Sequence, residues 1–397
     1  MTTDQLISDK SHCSGCTACL FACPHRAISM NEDKEGFLYP VIDTDKCVDC
    51  GLCRKVCDGL NKWKIETPSV YAAYIKDQDI RMTSSSGGIF SLLAEKVLLM
   101  GGVVYGAAFD ENFDVKHVAI DNIKQLERLR GSKYVQSDLG DTFLEVKDYL
   151  NQGRKILFSG TPCQIGGLKG YLKNDYPGLI TIDLICHGVP SPKVWRKYVD
   201  IMKKGVGAPI KRISFRAKNS SWKRYAVSFS YENDTAYLRY HWNDPYMRGF
   251  LKDLYLRPSC YSCRFKSNNR ASDITLADFW GIESVLPEMD DDKGTSLVIA
   301  NTVKGQHTLS EIKDKMLIDK VPTETPEKYN TAIWHSAKVH PLREEFFTAF
   351  NNNDADMIAL IKSTTKDTVQ TRIRSGVKII LKKFHLMSFV LKIRRMR

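Results

Sequence analysis

Twelve cysteines carry most of the chemistry legible in this chain, and they fall into two groups. Eight form two copies of one run, Cys13-x2-Cys16-x2-Cys19-x3-Cys23 and Cys47-x2-Cys50-x2-Cys53-x3-Cys57. Thiols at two-residue gaps wrap the backbone around one face of an iron–sulfur cubane, and in paired runs the fourth cysteine ligates the other cluster. The spacing therefore predicts one 4Fe-4S cluster on Cys13, Cys16, Cys19 and Cys57, and a second on Cys47, Cys50, Cys53 and Cys23. Gly15 and Gly51 stand where the backbone must curve most tightly. Pro24 closes the first run, whereas Asp58 occupies the matching place in the second. Structural zinc would call for two-plus-two spacing, which neither run has.

The other four cysteines are spread along the chain. Cys163 follows an apolar segment in Ser159-Gly160-Thr161-Pro162-Cys163-Gln164, and Cys186 ends another. In a parallel sheet the carboxyl ends of the strands share one edge, so both thiols can converge there. Cys260-x2-Cys263 adds a two-thiol clip from a later loop. Four such thiols suit a third iron–sulfur or zinc site; ordinary buried thiols at strand ends are the alternative.

Two further segments could hold an anion. Thr83-Ser84-Ser85-Ser86-Gly87-Gly88 precedes a helix, where amides and hydroxyls make a phosphate cradle and glycines allow close approach. A plain helix cap is the alternative. Arg130-Gly131-Ser132-Lys133-Tyr134 combines charge, a permissive backbone and an aromatic ring, and reads otherwise as a surface turn.

These residues need a scaffold. With 397 residues, 43% apolar and 26% charged, the chain suits two or three folded domains and not a disordered polymer. No apolar run reaches the ~18 residues of a membrane span, and the polar N-terminus lacks the apolar region of a secretory signal. Residues 1–66 are cysteine-dense with little hydrophobic periodicity, as in an α+β ferredoxin-like domain held by metal. Thr67-Pro68 reads as a linker. From Val70 the pattern becomes that of an α/β domain, 67–345. Strands are expected at Val70 to Ile75, Val103 to Phe109, Lys155 to Ser159, Leu179 to Cys186, Ile274 to Ala277 and Leu297 to Ala300. Helices are expected at Gly88 to Met100, Asp141 to Gln152 and Pro192 to Lys204, the last capped by Ser191. Alternation between Ile210 and Tyr240 predicts antiparallel strands inserted in that domain.

Residues 346–397 read as a helical basic tail. Nine Lys or Arg and no acid lie from Arg372 to Arg397, leaving +3 of the +12 net charge on the preceding 371 residues. Ile373, Val377, Ile380, Phe384, Met387 and Leu391 share one helical face. Such a helix either lies on anionic lipid or packs its apolar stripe on the body. Nucleic acid is not expected, because the body shows no basic stripe.

Several of these motifs occur together and in order. Ser85-Ser86-Gly87-Gly88, Gly131-Ser132-Lys133-Tyr134, Gly160-Thr161-Pro162-Cys163-Gln164, Cys186-His187-Gly188-Val189-Pro190-Ser191, Cys260-x2-Cys263 and Asp278-Phe279-Trp280-Gly281 resemble the beta subunit of coenzyme F420 hydrogenase/dehydrogenase over about residues 70–320. The N-terminal part is similar to the two-cluster ferredoxin domain often fused to it. Ala277 departs from the family pattern, where a glycine often stands. The resemblance implies a cytoplasmic iron–sulfur flavoprotein oxidoreductase, peripheral at the inner membrane face if the tail binds lipid. It implies FAD on the α/β domain, held at Ser84, Ser85, Ser86, Gly87, Gly88, Gly131, Ser132, Lys133 and Tyr134, and a third 4Fe-4S cluster on Cys163, Cys186, Cys260 and Cys263. Its partners would be a ferredoxin-type or hydrogenase/dehydrogenase redox protein and a small-molecule substrate, among them a deazaflavin-type coenzyme. His187 and Lys133 are acid–base candidates. The alternatives are a non-catalytic electron-delivery subunit and an accessory protein of surface-polysaccharide synthesis.

Overall fold

The computed structural model describes residues 6, 9–58, 60, 66–267, 269–352 and 355–366. The tail from Arg372 to Arg397 lies outside them.

At the N-terminus, a short helix Ala18–Ala22 is followed by the hairpin β1 (Ile28–Glu32) and β2 (Leu38–Ile42), then by the helix Leu52–Asp58. Both cysteine runs flank this hairpin, and Gly15 and Gly51 each take a φ of +69°. That is the left-handed turn expected of them.

The body is built on an eight-stranded sheet. Its strands are β3 (Ser69–Ile75), β4 (Val103–Phe109), β5 (Val115–Ile120), β6 (Ile156–Ser159), β7 (Leu179–Leu184), β11 (Ile274–Asp278), β12 (Ser296–Ala300) and β13 (Met316–Val321), in the order β13-β3-β12-β11-β7-β6-β4-β5. The strands β4, β6, β7 and β11 run parallel, and the remaining pairings are antiparallel. The sheet is thus mixed, but the strands that carry Cys163 and Cys186 do point the same way.

Alternation along each strand feeds two apolar layers. Val104 and Ala108 of β4 pack with the helix Ile89–Leu99 on one face. Val103 and Tyr105 pack with Phe143, Val146, Ile165 and Leu168, from helices Thr142–Asn151 and Pro162–Leu172, on the other. The five residues of β12 are all buried, as a strand covered on both sides must be.

The strands read between Ile210 and Tyr240 form β8 (Ile210–Ala217), β9 (Ala226–Tyr231) and β10 (Ala236–Tyr240). They pair antiparallel, as expected, in a separate sheet that does not enter the large one. The apolar side chains of β8 and β9 instead close a second core with Trp195, Tyr198, Tyr246 and Phe250. The expected boundary at 345/346 falls inside the helix Arg343–Phe350. Phe346 and Phe347 from that helix, with Met357 and Ile361 from the helix Met357–Thr364, belong to this same core.

Candidate functional site

The twelve cysteines are all free thiols, and they gather around three cavities. Cys13, Cys16, Cys19 and Cys57 line one of about 310 Å³. A second, of about 20 Å³, is lined by Cys23, Cys47, Cys50 and Cys53. The third, of about 120 Å³, is lined by Cys163, Cys186, Cys260 and Cys263. Cys57 lines the cavity of the first run and Cys23 that of the second, and the third cavity joins the two strand-end thiols to the later clip.

Thiol electrostatics follow the same grouping. Burial pushes the Cys16 thiol up to about 11, and the charges of Cys13 and Cys57 add to the shift. Burial likewise raises Cys53, with Cys23 and Cys47 contributing. Cys163 is raised by burial and then by Cys263, Cys186 and Cys260. Burial pushes Cys260 up to about 12. Clustered thiolates that repel one another in a desolvated cavity need a cationic centre to offset them, and thiolates are the ligands of iron–sulfur clusters. The residues present fit that group.

Local sequence explains how the third quartet forms. Thr161 precedes the helix Pro162–Leu172, Pro162 takes its first position, and the Thr161 N–H donates to Gln164 Oε1 at 2.9 Å. This cap fixes Cys163 in the first turn. Cys186 lies just beyond β7, at the neighbouring carboxyl end, and Cys260 accepts from the Val189 N–H at 3.4 Å. The first and third cavities share His12, Ser14 and Arg264 in their walls.

The helix Pro162–Leu172 also seats the N-terminal region. A Cβ on Gly167 would lie 2.9 Å from Cys16 Cβ, and one on Gly166 would lie 2.9 Å from the Leu60 carbonyl. Arg257, fully buried, donates to the carbonyls of Cys13 at 2.7 Å and Leu38 at 2.8 Å. Arg343 pairs with Glu35 at 2.5 Å. The two regions are packed together across the Thr67-Pro68 linker.

The serine–glycine loop occupies the same sheet edge, since Gly87 bonds at the start of β12 beside the end of β3. Its hydroxyls have divided roles. Ser84 donates to the Ile80 carbonyl and Ser86 to the Thr295 carbonyl. Ser85 Oγ faces the second segment, accepting from the Ser132 N–H at 2.7 Å and lying 2.9 Å from Ser132 Oγ. The expectation that Gly87 and Gly88 serve phosphate approach is not what their packing requires. A Cβ on Gly87 would stand 2.4 Å from the Ala73 carbonyl, and one on Gly88 would stand 2.7 Å from Ile75 Cγ2. Both glycines let the helix start press against β3.

Beneath Ser85 lies Arg216. Its guanidinium is 2.9 Å from Asp278 Oδ2, donates to the Ser85 carbonyl at 3.3 Å, and covers the Tyr225 ring at 4.0 Å. Among the described residues, Arg216 Nε is buried with no partner. Trp222 donates to Asp278 Oδ1 at 3.2 Å and stacks on Trp280. The half-buried Lys133 donates to the Arg128 and Arg130 carbonyls, and burial pulls its ammonium down to about 7. His187 lies elsewhere, in the wall of the third cysteine cavity, 2.6 Å from Asp253 Oδ1.

Arg216, Arg257 and Arg264 escaped the sequence reading. Arg257 and Arg264 flank the Cys260-x2-Cys263 clip, a usable signal. Arg216 gave none, because a bulge between Ser214 and Ala217 breaks the alternation of β8.

Known proteins match in the same segments. Residues 12–58 match the 4Fe-4S dicluster domain. Residues 70–142 and 153–326 match coenzyme F420 hydrogenase/dehydrogenase beta subunit, N-terminal and C-terminal parts. An isethionate sulfite-lyase activating enzyme of Desulfovibrio desulfuricans is 34% identical over 91 residues, 22% of this chain; the chain spans only 28% of that enzyme's length. A chain of the F420-reducing NiFe hydrogenase complex from Methanosarcina barkeri is 18% identical, with a TM-score of 0.45, covering 78% of this chain and 91% of that one. Among the described residues, no helix is long and apolar enough to cross a membrane.

Proposed function

Because this chain belongs to the coenzyme F420 hydrogenase/dehydrogenase beta-subunit family, we propose that it passes electrons between a redox partner protein and an organic molecule through three 4Fe-4S clusters and FAD. The observation that carries the reading is the sorting of all twelve cysteines into three cavities of four. Cys13, Cys16, Cys19 and Cys57 would hold one cluster, Cys23, Cys47, Cys50 and Cys53 the second, and Cys163, Cys186, Cys260 and Cys263 the third.

A bound flavin would supply the exchange between single electrons and the two-electron steps of organic chemistry. For it the chain offers the junction of Ser85 with Ser132, the buried Arg216 with its free Nε, and Lys133 alongside. An amine near neutrality can hold or release a proton at Nζ. This junction and the third quartet lie on one sheet edge, which keeps the one-electron and two-electron sites close.

The outermost quartet is where an electron carrier can reach the chain. Cys50 is exposed, Val48 and Leu52 beside it are 59% and 36% exposed, and Lys46 and Lys55 border them. An exposed apolar patch beside Cys50, bordered by charges of both signs, fits a ferredoxin-type protein.

Anaerobic purification with iron, sulfide and flavin analysis tests the reading. The expected content is about twelve iron per chain, four per cluster. Cys186→Ser with Cys263→Ser should leave about eight, and Arg216→Gln with Ser85→Ala should release FAD from a folded protein. About eight iron in the parent, unchanged by Cys163→Ala, overturns the third cluster. FAD retained by the folded Arg216 and Ser85 variant overturns the flavin site.

A further inference from the structure

We propose that Arg257 and Arg264 set the order of electron flow in the ferredoxin pair, by raising the reduction potential of the cluster on Cys13, Cys16, Cys19 and Cys57 above that of the cluster on Cys23, Cys47, Cys50 and Cys53. This rests on the cluster reading above.

Both arginines come from the body of the protein and both reach sulfur of the same quartet. Arg257 Nη2 lies 3.6 Å from Cys13 Sγ, and Arg264 Nη2 lies 3.6 Å from Cys57 Sγ. The other polar partners of Arg257 are neutral: the carbonyls of Cys13 and Leu38, and Gln136 Oε1 at 2.9 Å. The nearby acids are matched elsewhere, Asp33 by Lys10 and Glu35 by Arg343. A buried positive charge therefore remains uncancelled beside Cys13. Among the described residues, the sulfur contacts at the outer quartet are neutral amides, such as Ala27 N–H to Cys23 Sγ at 3.3 Å and the backbone amides at Cys53. The cations near it, Arg26, Lys46 and Lys55, are exposed, where water and salt screen them.

Reduction adds one negative charge to a cluster, so donors to its sulfurs and buried cations favour the reduced form. The low local dielectric strengthens that preference. One electron leaving the outer cluster, replaced by one from the external carrier, thus comes to rest on the inner cluster, with no proton moved. The inner cavity shares His12, Ser14 and Arg264 with the cavity of the third quartet. Arg264 is thereby a wall of both sites and a donor to one. The arginines bias the relay inward.

The test is a redox titration followed by electron paramagnetic resonance on the full chain, with iron measured first. Cys50→Ser identifies the outer cluster's signal. In Arg257→Gln with Arg264→Gln, iron content should hold. At a fixed poise the reduced-to-oxidised ratio of the inner cluster should fall at least tenfold, about 59 mV for a one-electron couple. The outer cluster's signal should stay in place, and Arg264→Lys, which keeps the charge, should recover most of the single-variant shift. Should buried Arg257 prove necessary for folding, the half-buried Arg264→Gln decides alone. Intact iron with an unmoved inner potential, or a parent whose outer cluster is the more easily reduced, overturns the proposal. A parent lacking the two ferredoxin clusters overturns the cluster reading itself.

Discussion

Gly167→Ala should damage the protein through the cysteine site and not through the helix that carries it. Gly167 lies inside the helix Pro162–Leu172, and an added Cβ would stand 2.9 Å from Cys16 Cβ, 2.9 Å from the Cys16 carbonyl and 3.2 Å from Cys16 Sγ. Carbon atoms pack at about 3.5–4.0 Å, so the helix and the Cys16 segment must separate by roughly 0.6–1 Å. None of those atoms is the far end of a flexible side chain. Overpacking of this kind costs about 1–3 kcal/mol. Alanine returns about 0.8–1 kcal/mol through its better helix propensity. The net expectation is a loss of up to about 2 kcal/mol, up to a few degrees in thermal midpoint. The cluster on Cys13, Cys16, Cys19 and Cys57 should also lose its iron faster to a chelator, about four of about twelve atoms. Gly205→Ala is the control, because it sits in the helix Pro192–Val206 with nothing within 4 Å of an added Cβ. It should gain stability. Thermal unfolding and timed chelation read both effects. An N-terminal region merely tethered to the body would accept Gly167→Ala with a gain, and that gain, with unchanged iron release, would refute the packed arrangement.

Two further outcomes follow. Burial lowers His117 from 6.5 to about 4, with its Nε2–H donated to the Ser159 carbonyl and Nδ1 accepting from Ser137. The unfolded chain therefore binds a proton between about pH 6.5 and 4 that the folded chain does not; stability should fall by up to about 3 kcal/mol as the pH drops through that window. His117→Asn should flatten the pH dependence of the midpoint across that window, and an unaltered pH slope would count against the assignment. Val48→Asp with Leu52→Asp should slow reduction by a ferredoxin-type donor several-fold while leaving iron content alone, measured by stopped-flow. An unchanged rate would place the docking face elsewhere.

What the sequence determined by itself was local. The strands Val103–Phe109 and Ile156–Ser159 stand where apolar runs were read, because a strand buried on both faces must be apolar throughout. The helix start at Ser191 was legible from a capping residue that satisfies the first amides, whereas the helix Pro162–Leu172 was not read. Cysteine spacing sorted eight thiols into two quartets, since a cubane fixes the distances its ligands must span.

Only the tertiary structure decided what long-range contact decides. Sequence alternation could not tell that β8, β9 and β10 form their own sheet, because pairing partners are not encoded in a period of two. It could not turn Arg216 inward, since a bulge reversed the side that position faces. Nor could it seat Cys16 on Gly167 or bring Arg257 to Cys13, positions separated by 244 residues in the latter case. Spacing along the chain suggests which neighbouring cysteines act together. The charges around them, and the closeness of one site to the next, arise only when distant segments pack.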